Sequence, residues 1–302
     1  MGVNDRQEGG MVCRQFCRYD ASHKAADPDG AVTTKGKNMR LLTSLLVAGV
    51  ISLSAVSAQA EVIRNVVYGQ KDGLAMVMDV YKPDSGANGA AVAYMISGGW
   101  MSSLPMQGAY ESMFVPLVDA GYTVFAVRHG SSPRYNVLEA WGDVWQAFQF
   151  IGDNAGSYGV DAERIGVSGI SAGGHLSLML GLSTDAQPHR PAAVVAYMPP
   201  TDLRGMTGPN DNFPALNFAD DEAPTVSPID FASAGDPPVL LVHGDADELV
   251  NINHSERMFA ALKAAGITSE FVVIPGAPHG LFTGEGGVTA ANALRGWFDQ
   301  HL

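Results

Sequence analysis

The chain has 302 residues, with 31 Asp and Glu against 18 Lys and Arg, 46% hydrophobic residues and two cysteines. Setting aside the first sixty residues, which hold 7 Lys/Arg and 5 Asp/Glu, leaves 11 basic residues against 26 acidic, a balance of −15. So acidic a surface repels phosphate backbones and anionic membrane faces, which argues against nucleic acid as a partner, and roughly 240 residues suffice for one large α/β domain with its own core.

Residues 1–60 read as an amino-terminal extension and signal peptide rather than as part of the fold. Lys35, Lys37 and Arg40 precede the apolar stretch Leu41–Ser57, which closes on Ala58-Gln59-Ala60, a small-x-small cleavage pattern. We expect cleavage after Ala60 and an exported protein beginning at Glu61, with no stable membrane partner afterwards. The same stretch is nearly long enough to span a bilayer, so an uncleaved anchor is the alternative. Cys13 and Cys17 lie in the polar residues 1–38, with no second Cys/His pair at ligand spacing, and Met39 offers an alternative start. From Glu61 onward there is no cysteine, so this part requires no disulfide framework.

In chain order, Val62–Tyr68 and Leu74–Tyr81 are β-rich runs separated by Gly69-Gln-Lys-Asp-Gly73, a hairpin signal. Ala91–Ile96 is a short apolar run, Gln107–Ala120 a helix and Tyr122–Val127 another strand. Val137–Asn154 carries Leu138, Trp141, Val144, Trp145, Phe148 and Ile151 at helical spacing. Ile165–Ile170 reads as a strand, and Leu176, Leu178, Met179 and Leu182 then recur at helical spacing. Strands at Ala192–Tyr197, Pro238–His243 and Glu270–Ile274 alternate with helices at Ser255–Ala265 and Val288–Leu302. This alternation predicts an α/β fold over residues 61–302, with a mostly parallel central sheet covered by helices on both faces. One stretch departs from it: residues 199–237 are rich in Pro, Asp, Asn and Gly with little periodicity. So long a loop on the ligand-binding edge of an open α/β sheet predicts a lid or substrate-facing insertion, an acidic solvated excursion being the alternative.

Chemistry centres on Gly169-Ile-Ser-Ala-Gly173, between the Ile165–Ile170 strand and the following helix. Glycines on either side of Ser171 permit the sharp turn of a nucleophile elbow, which lifts the serine hydroxyl over the end of a sheet. A serine needs a base, and the base needs a group to orient it. Downstream, Val239–His243 leads into a turn bearing Asp245, Asp247 and Glu248. Ile274-Pro-Gly-Ala-Pro-His279 ends a strand in a rigid loop bearing a histidine. His175 and His243 read as structural, while His129 and His254 have no comparable placement. No histidine pair has the i, i+4 spacing of a helical zinc site, so neither metal nor organic cofactor is expected.

The chain resembles α/β-hydrolases of the esterase/lipase type, close to the hormone-sensitive-lipase and bacterial feruloyl/acetyl-esterase groups. The resemblance covers Val62–Leu302 and rests on Val77-Met-Asp-Val-Tyr-Lys-Pro83, Ser97-Gly-Gly-Trp100, Gly159-Val-Asp161, the elbow, Ser227-Pro228, His243-Gly-Asp-Ala-Asp247 and Pro278-His279-Gly280. It implies a catalytic set of Ser171, Asp247 and His279, the acid being the last Asp of His-Gly-x-x-Asp, and oxyanion amides at Gly98, Gly99 and Ala172. Asp245 then tightens the turn. Two departures stand out. Ile96-Ser97 replaces the usual His-Gly ahead of Gly98, leaving open whether Ser97 crowds the loop or adds a donor. Asn251 stands where proline is common.

These features imply an exported serine hydrolase that cleaves small-molecule or polysaccharide-linked esters through an acyl-enzyme. A prolyl-oligopeptidase-like peptidase and a catalytically silent hydrolase-fold binding protein are the alternatives.

Overall fold

The computed structural model describes residues 61–183, 187–280 and 283–302. The expected signal peptide, with Cys13, Cys17 and the Ala58–Ala60 cleavage signal, lies outside them. Glu61–Lys71 (β1) and Leu74–Lys82 (β2) form an antiparallel hairpin in which Lys71 pairs with Leu74. Its two-residue turn, Asp72-Gly73, takes positive φ at both positions (49° and 77°), the twist that suits a tight hairpin. β1 therefore runs on through Lys71 instead of ending near Tyr68, and the turn is shorter than the Gly69–Gly73 signal suggests.

The other strands are Ala91–Met95 (β3), Thr123–Val127 (β4), Ile165–Ile170 (β5), Ala193–Tyr197 (β6), Val239–Gly244 (β7) and Ser269–Ile274 (β8). The sheet order is β1-β2-β4-β3-β5-β6-β7-β8, antiparallel as far as β4 and parallel from β4 to β8. Because β3 has β4 on one side and β5 on the other, the order reverses there, and the loops after β3 and β5 open beside each other on the carboxyl edge.

Among the described residues, five helices cover the sheet. Leu104–Asp119 (α1) starts three residues before the predicted Gln107, because Ser103 caps the Met106 amide and Pro105 suits the first turn. Val137–Asn154 (α2) begins with a capping box in which Asn136 and Glu139 each bond the other's backbone amide. Ala172–Leu182 (α3), Asn253–Ala264 (α4) and Gly284–His301 (α5) complete the set. Along β3, Ala91, Ala93 and Met95 join one apolar layer with residues of α2, α3 and α4, while Val92 and Tyr94 join a second with α1 and α5. Side chains that alternate across a strand thus fill cores on both faces, so β3, β4, β5, β6 and β7 are buried throughout.

Residues 199–237 fold as short 3₁₀ turns at Pro214–Leu216, Asp220–Val226 and Pro228–Asp230, which carry no 3.6-residue periodicity to read. Leu203, Ala215, Leu216, Ala223 and Val226 are buried against the body of the fold, while Asp220, Asp221 and Glu222 face solvent. The Ser227 hydroxyl pins the segment by accepting from the Leu203 amide and donating to the Ala223 carbonyl.

Candidate active site

Ser171 joins β5 to α3 at φ 54° and ψ −118°, a conformation that L side chains rarely adopt and that costs about 1–3 kcal/mol. Its surroundings hold it there. The Ser171 amide donates to the Tyr197 carbonyl at 2.8 Å, and the His175 amide returns to the Ser171 carbonyl at 2.9 Å. The flanking glycines are required by contact. A Cβ on Gly169 would lie 2.5 Å from the Gly173 backbone, and one on Gly173 would lie 2.6 Å from the Met95 carbonyl oxygen.

The Ser171 hydroxyl is 3.0 Å from His279 Nε2, and His279 Nδ1 is 2.7 Å from Asp247 Oδ2. A carboxylate can only accept, so Nδ1 carries the proton and Nε2 presents its lone pair to the serine. Asp247 is fully engaged. Its Oδ1 accepts the Leu249 and Val250 amides, both at 2.9 Å, and His243 Nε2 stands 3.2 Å from Oδ2. Burial pushes the Asp247 pKa up, but the bonds from His243, His279 and the Val250 amide outweigh it and hold the carboxyl well below the usual carboxylate range. Asp245 lies outside this arrangement, exposed, and accepts the Gly276 amide at 2.5 Å; Glu248 is exposed as well.

The other histidines are engaged elsewhere. His175 Nε2 donates to the Val226 carbonyl at 2.7 Å, so Nδ1 is left to accept from Trp100 Nε1 at 3.3 Å, with the two rings edge-to-face at 5.4 Å. Burial, partly offset by the Val226 bond, pushes its pKa down to about 4, so the ring is neutral. His243 Nδ1 accepts from Ser255 Oγ at 2.7 Å, and its Nε2 also meets the Val250 carbonyl at 2.8 Å. Its contact with Asp247 is not apparent from the elements alone, although the i, i+4 spacing within His-Gly-x-x-Asp carries it. His254 receives the Thr201 amide at Nδ1. Among the described residues, no group of three or more His, Cys, Asp or Glu side chains is placed to hold a metal ion.

Between β3 and α1, Gly98 and Met101 exchange backbone hydrogen bonds at 3.0 Å in both directions, with Gly99 and Trp100 at φ 56° and 55°. This is a two-residue hairpin turn, and it corrects one member of the expected donor set. The Gly98 amide is committed to the Met101 carbonyl, since closing so tight a turn consumes the first residue's N–H. Among the described residues, the amides of Gly99 and Ala172 meet no acceptor, and both residues border the recess beside Ser171. Ser97 is fully buried and turned away from the recess, with its hydroxyl 2.8 Å from His129 Nε2, so it neither crowds the turn nor offers a donor there.

The recess is apolar, open to solvent on one side, with a cavity volume of about 40 Å³. It is lined by Gly99, Trp100, Ser171 and Ala172, by Pro200, Met206, Phe213 and Leu216 from the 199–237 segment, and by Leu249 and Val250. Phe213 packs on Gly99, where a Cβ would come within 3.1 Å of its ring. Trp100 both lines the recess and packs the loop.

A serine strained over the carboxyl edge of a parallel sheet, bonded through a histidine from the β8 loop to an aspartate from the β7 loop, is the arrangement of an α/β-hydrolase of the serine esterase group. The chain belongs to the BD-FAE family, whose model matches residues 78–262. Esterase LipQ of Mycobacterium tuberculosis is 26% identical over 226 residues, 67% of this chain and 53% of the relative, so the chain spans about half the length of that protein. Ethyl acetate hydrolase of Pseudomonas putida is 27% identical over 69% of this chain and 72% of its own length. Among solved structures, a truncated carbohydrate esterase from gut microbiota is similar at TM-score 0.69 and 25% identity, covering 82% of this chain and 98% of that one. Thermogutta terrifontis esterase 2 phosphoramylated by tabun is similar at TM-score 0.67 and 26% identity, covering 79% and 93%.

Proposed function

We propose that this chain is an exported serine carboxylesterase that works through an acyl-enzyme. The observation that carries the reading is the continuous hydrogen-bond path from Ser171 Oγ through His279 to Asp247, at 3.0 and 2.7 Å. Ser171 attacks the ester carbonyl while His279 Nε2 takes its proton, and Asp247 keeps Nδ1 protonated and stabilises the resulting imidazolium. The Gly99 and Ala172 amides receive the negative charge that develops on the carbonyl oxygen. His279 then returns the proton to the leaving alcohol. Water, deprotonated by the same histidine, releases the acid and restores the serine. Reactivity of a similar esterase with an organophosphorus agent supports a covalent step here.

The dimensions of the recess favour short acyl groups. Trp100, Met206, Phe213 and Leu216 line it together with Ser171 around a cavity of only about 40 Å³, which suits an acetyl or propionyl chain rather than a long one. Similarity to a carbohydrate esterase and to an ethyl acetate hydrolase points the same way. The 199–237 segment acts as the wall that sets this limit. A p-nitrophenyl ester series run beside acetylated xylan tests the reading, with hydrolysis expected to fall steeply beyond butyrate. Undiminished turnover of the octanoate would overturn the acyl limit; no turnover of any ester, with no labelling by a fluorophosphonate, would overturn the enzyme. Export rests on the leader pattern, and the secreted form is expected to begin at Glu61.

A further inference from the structure

The Gly98–Met101 turn is braced from outside, and the brace is built from side chains that the hydrolysis scheme does not use. Two loops run side by side from the ends of adjacent parallel strands, residues 96–103 after β3 and residues 128–136 after β4. They are laced along their length. The Ile96 amide donates to the Val127 carbonyl at 2.9 Å and continues the ladder. Past that point side chains take over. Ser97 Oγ meets His129 Nε2 at 2.8 Å, the His129 amide donates to Ser102 Oγ at 3.3 Å, and Ser102 Oγ donates to the Ile96 carbonyl at 2.6 Å. The Ser102 amide donates to Ser131 Oγ at 3.0 Å, and the Ser132 amide to the Trp100 carbonyl at 3.1 Å.

The polarity of the central bond follows from its neighbours. His129 Nδ1 lies 2.8 Å from the Gly130 carbonyl, which can only accept, so Nδ1 carries the proton. A neutral ring then has one lone pair left, at Nε2, and Ser97 Oγ–H donates to it. Burial keeps the ring neutral, with the pKa down at about 4; Lys71 pushes the same way, and the Gly130 bond and Asp143 push weakly against it. The second loop is itself anchored, since Asp143 on α2 accepts the Gly130 amide at 2.8 Å and the Lys71 ammonium at 3.0 Å. A fixed point on α2 therefore reaches Ser97 through two rigid links, one residue before the turn that carries the Gly99 amide.

We infer that His129 is a positioning residue for ester hydrolysis, which holds the Gly98–Met101 turn through the Ser97 hydroxyl so that the Gly99 amide faces the developing oxyanion. The inference rests on the proposed hydrolysis, and it makes Ile96-Ser97 a departure from the resembled pattern that His129 completes. A donor amide shifted by a fraction of an ångström still binds substrate but stabilises the transition state less, so the effect falls on kcat rather than KM.

The test compares His129→Ala, Ser97→Ala and the double variant with the unaltered enzyme on p-nitrophenyl acetate, normalising rates to active sites counted by fluorophosphonate titration. Each single variant is expected to lower kcat about tenfold, less than outright loss of a donor, with KM within twofold. The double variant should be no worse than the poorer single, because both changes cut one link. The inhibition constant of a trifluoromethyl ketone, whose adduct places an oxyanion in the same position, should rise by the factor that kcat/KM falls. His129→Gln, which keeps an acceptor, should recover part of the loss. Normalised kcat within twofold of the unaltered enzyme, or a ketone inhibition constant that does not move, would overturn the role of His129 and leave ester hydrolysis standing. An unaltered enzyme that neither hydrolyses the ester nor takes up the fluorophosphonate overturns both.

Discussion

Replacing Asp247 with asparagine keeps size and shape but reverses the polarity of half the group, and the geometry shows why no rotamer repairs this. Four donors converge on the carboxylate: the Leu249 and Val250 amides at Oδ1, and His279 Nδ1 and His243 Nε2 at Oδ2. An asparagine with its oxygen toward the two amides turns its NH₂ toward His279. Nδ1 must then accept, the ring proton moves to Nε2, and the base can no longer receive a proton from Ser171 3.0 Å away. The opposite flip restores an acceptor for His279 but sets the NH₂ against two backbone amides that cannot move out of their turn. The first flip clashes only with His243, whose Nε2–H keeps the Val250 carbonyl at 2.8 Å, so it prevails. A loss of about 10³–10⁴ in kcat is the scale for a triad held in the wrong tautomer. Asp245→Asn is the internal control. Among the described residues its Oδ1 accepts the Gly276 amide alone, a bond an asparagine oxygen retains, so kcat should change less than about threefold. Initial rates on p-nitrophenyl acetate over a range of concentrations separate kcat from KM for both variants. A larger loss from Asp245→Asn than from Asp247→Asn would refute the assignment of the acid.

Three further outcomes follow from the geometry. Ser171→Ala should lose about a thousandfold or more in kcat with an unchanged circular dichroism spectrum, since only its side chain meets His279; substantial residual turnover would refute the nucleophile. Gly173→Ala should destabilise the fold by about 1–3 kcal/mol in denaturant titration, because its Cβ would sit 2.6 Å from the Met95 carbonyl oxygen. His129 and His175 are both buried neutral with pKa values lowered to about 4, whereas histidine in the unfolded chain titrates near ~6.5. Between those values the unfolded state binds the extra protons, so the stability present above pH ~6.5 is lost as pH falls, by about 2 kcal/mol for each histidine at pH ~5; a melting temperature constant from pH ~7.5 to ~5 would contradict this.

The elements were legible because each carries its own local signal, such as the short apolar run of β3, the six apolar positions along α2 and the Gly69–Gly73 turn signal. Boundaries slipped where a cap rather than periodicity decides them, as at Ser103. Residues 199–237 could be recognised as unusual but not resolved, since three 3₁₀ turns follow no 3.6-residue pattern and their burial depends on distant strands. In the site, the path from Ser171 to His279 to Asp247 was readable as motifs in a known order. The commitment of the Gly98 amide was not, because a reciprocal pair of bonds with Met101 depends on two consecutive positive φ angles, one of them at a tryptophan. The Ser97–His129 bond spans 32 residues with nothing in either local sequence to announce it.

Three residues that line the recess, Gly99, Trp100 and Ser171, sit at φ between 54° and 56°. For the two non-glycines that is strain of about 1–3 kcal/mol apiece, which persists only where the surroundings over-determine the backbone. Both are over-determined, and by the same element. Ser171 starts α3 with its carbonyl bonded to the His175 amide, and one turn along that helix the His175 ring accepts from the Trp100 indole. The far nitrogen of that ring reaches Val226 in the insertion. A single buried imidazole thus ties the helix that follows Ser171, the turn bearing the Gly99 amide and the 199–237 segment into one unit. That explains why His175 tolerates a pKa near 4 in a position with no part in proton transfer: a charged ring would lose its acceptor, and with it the bond that keeps Trp100 in its strained turn.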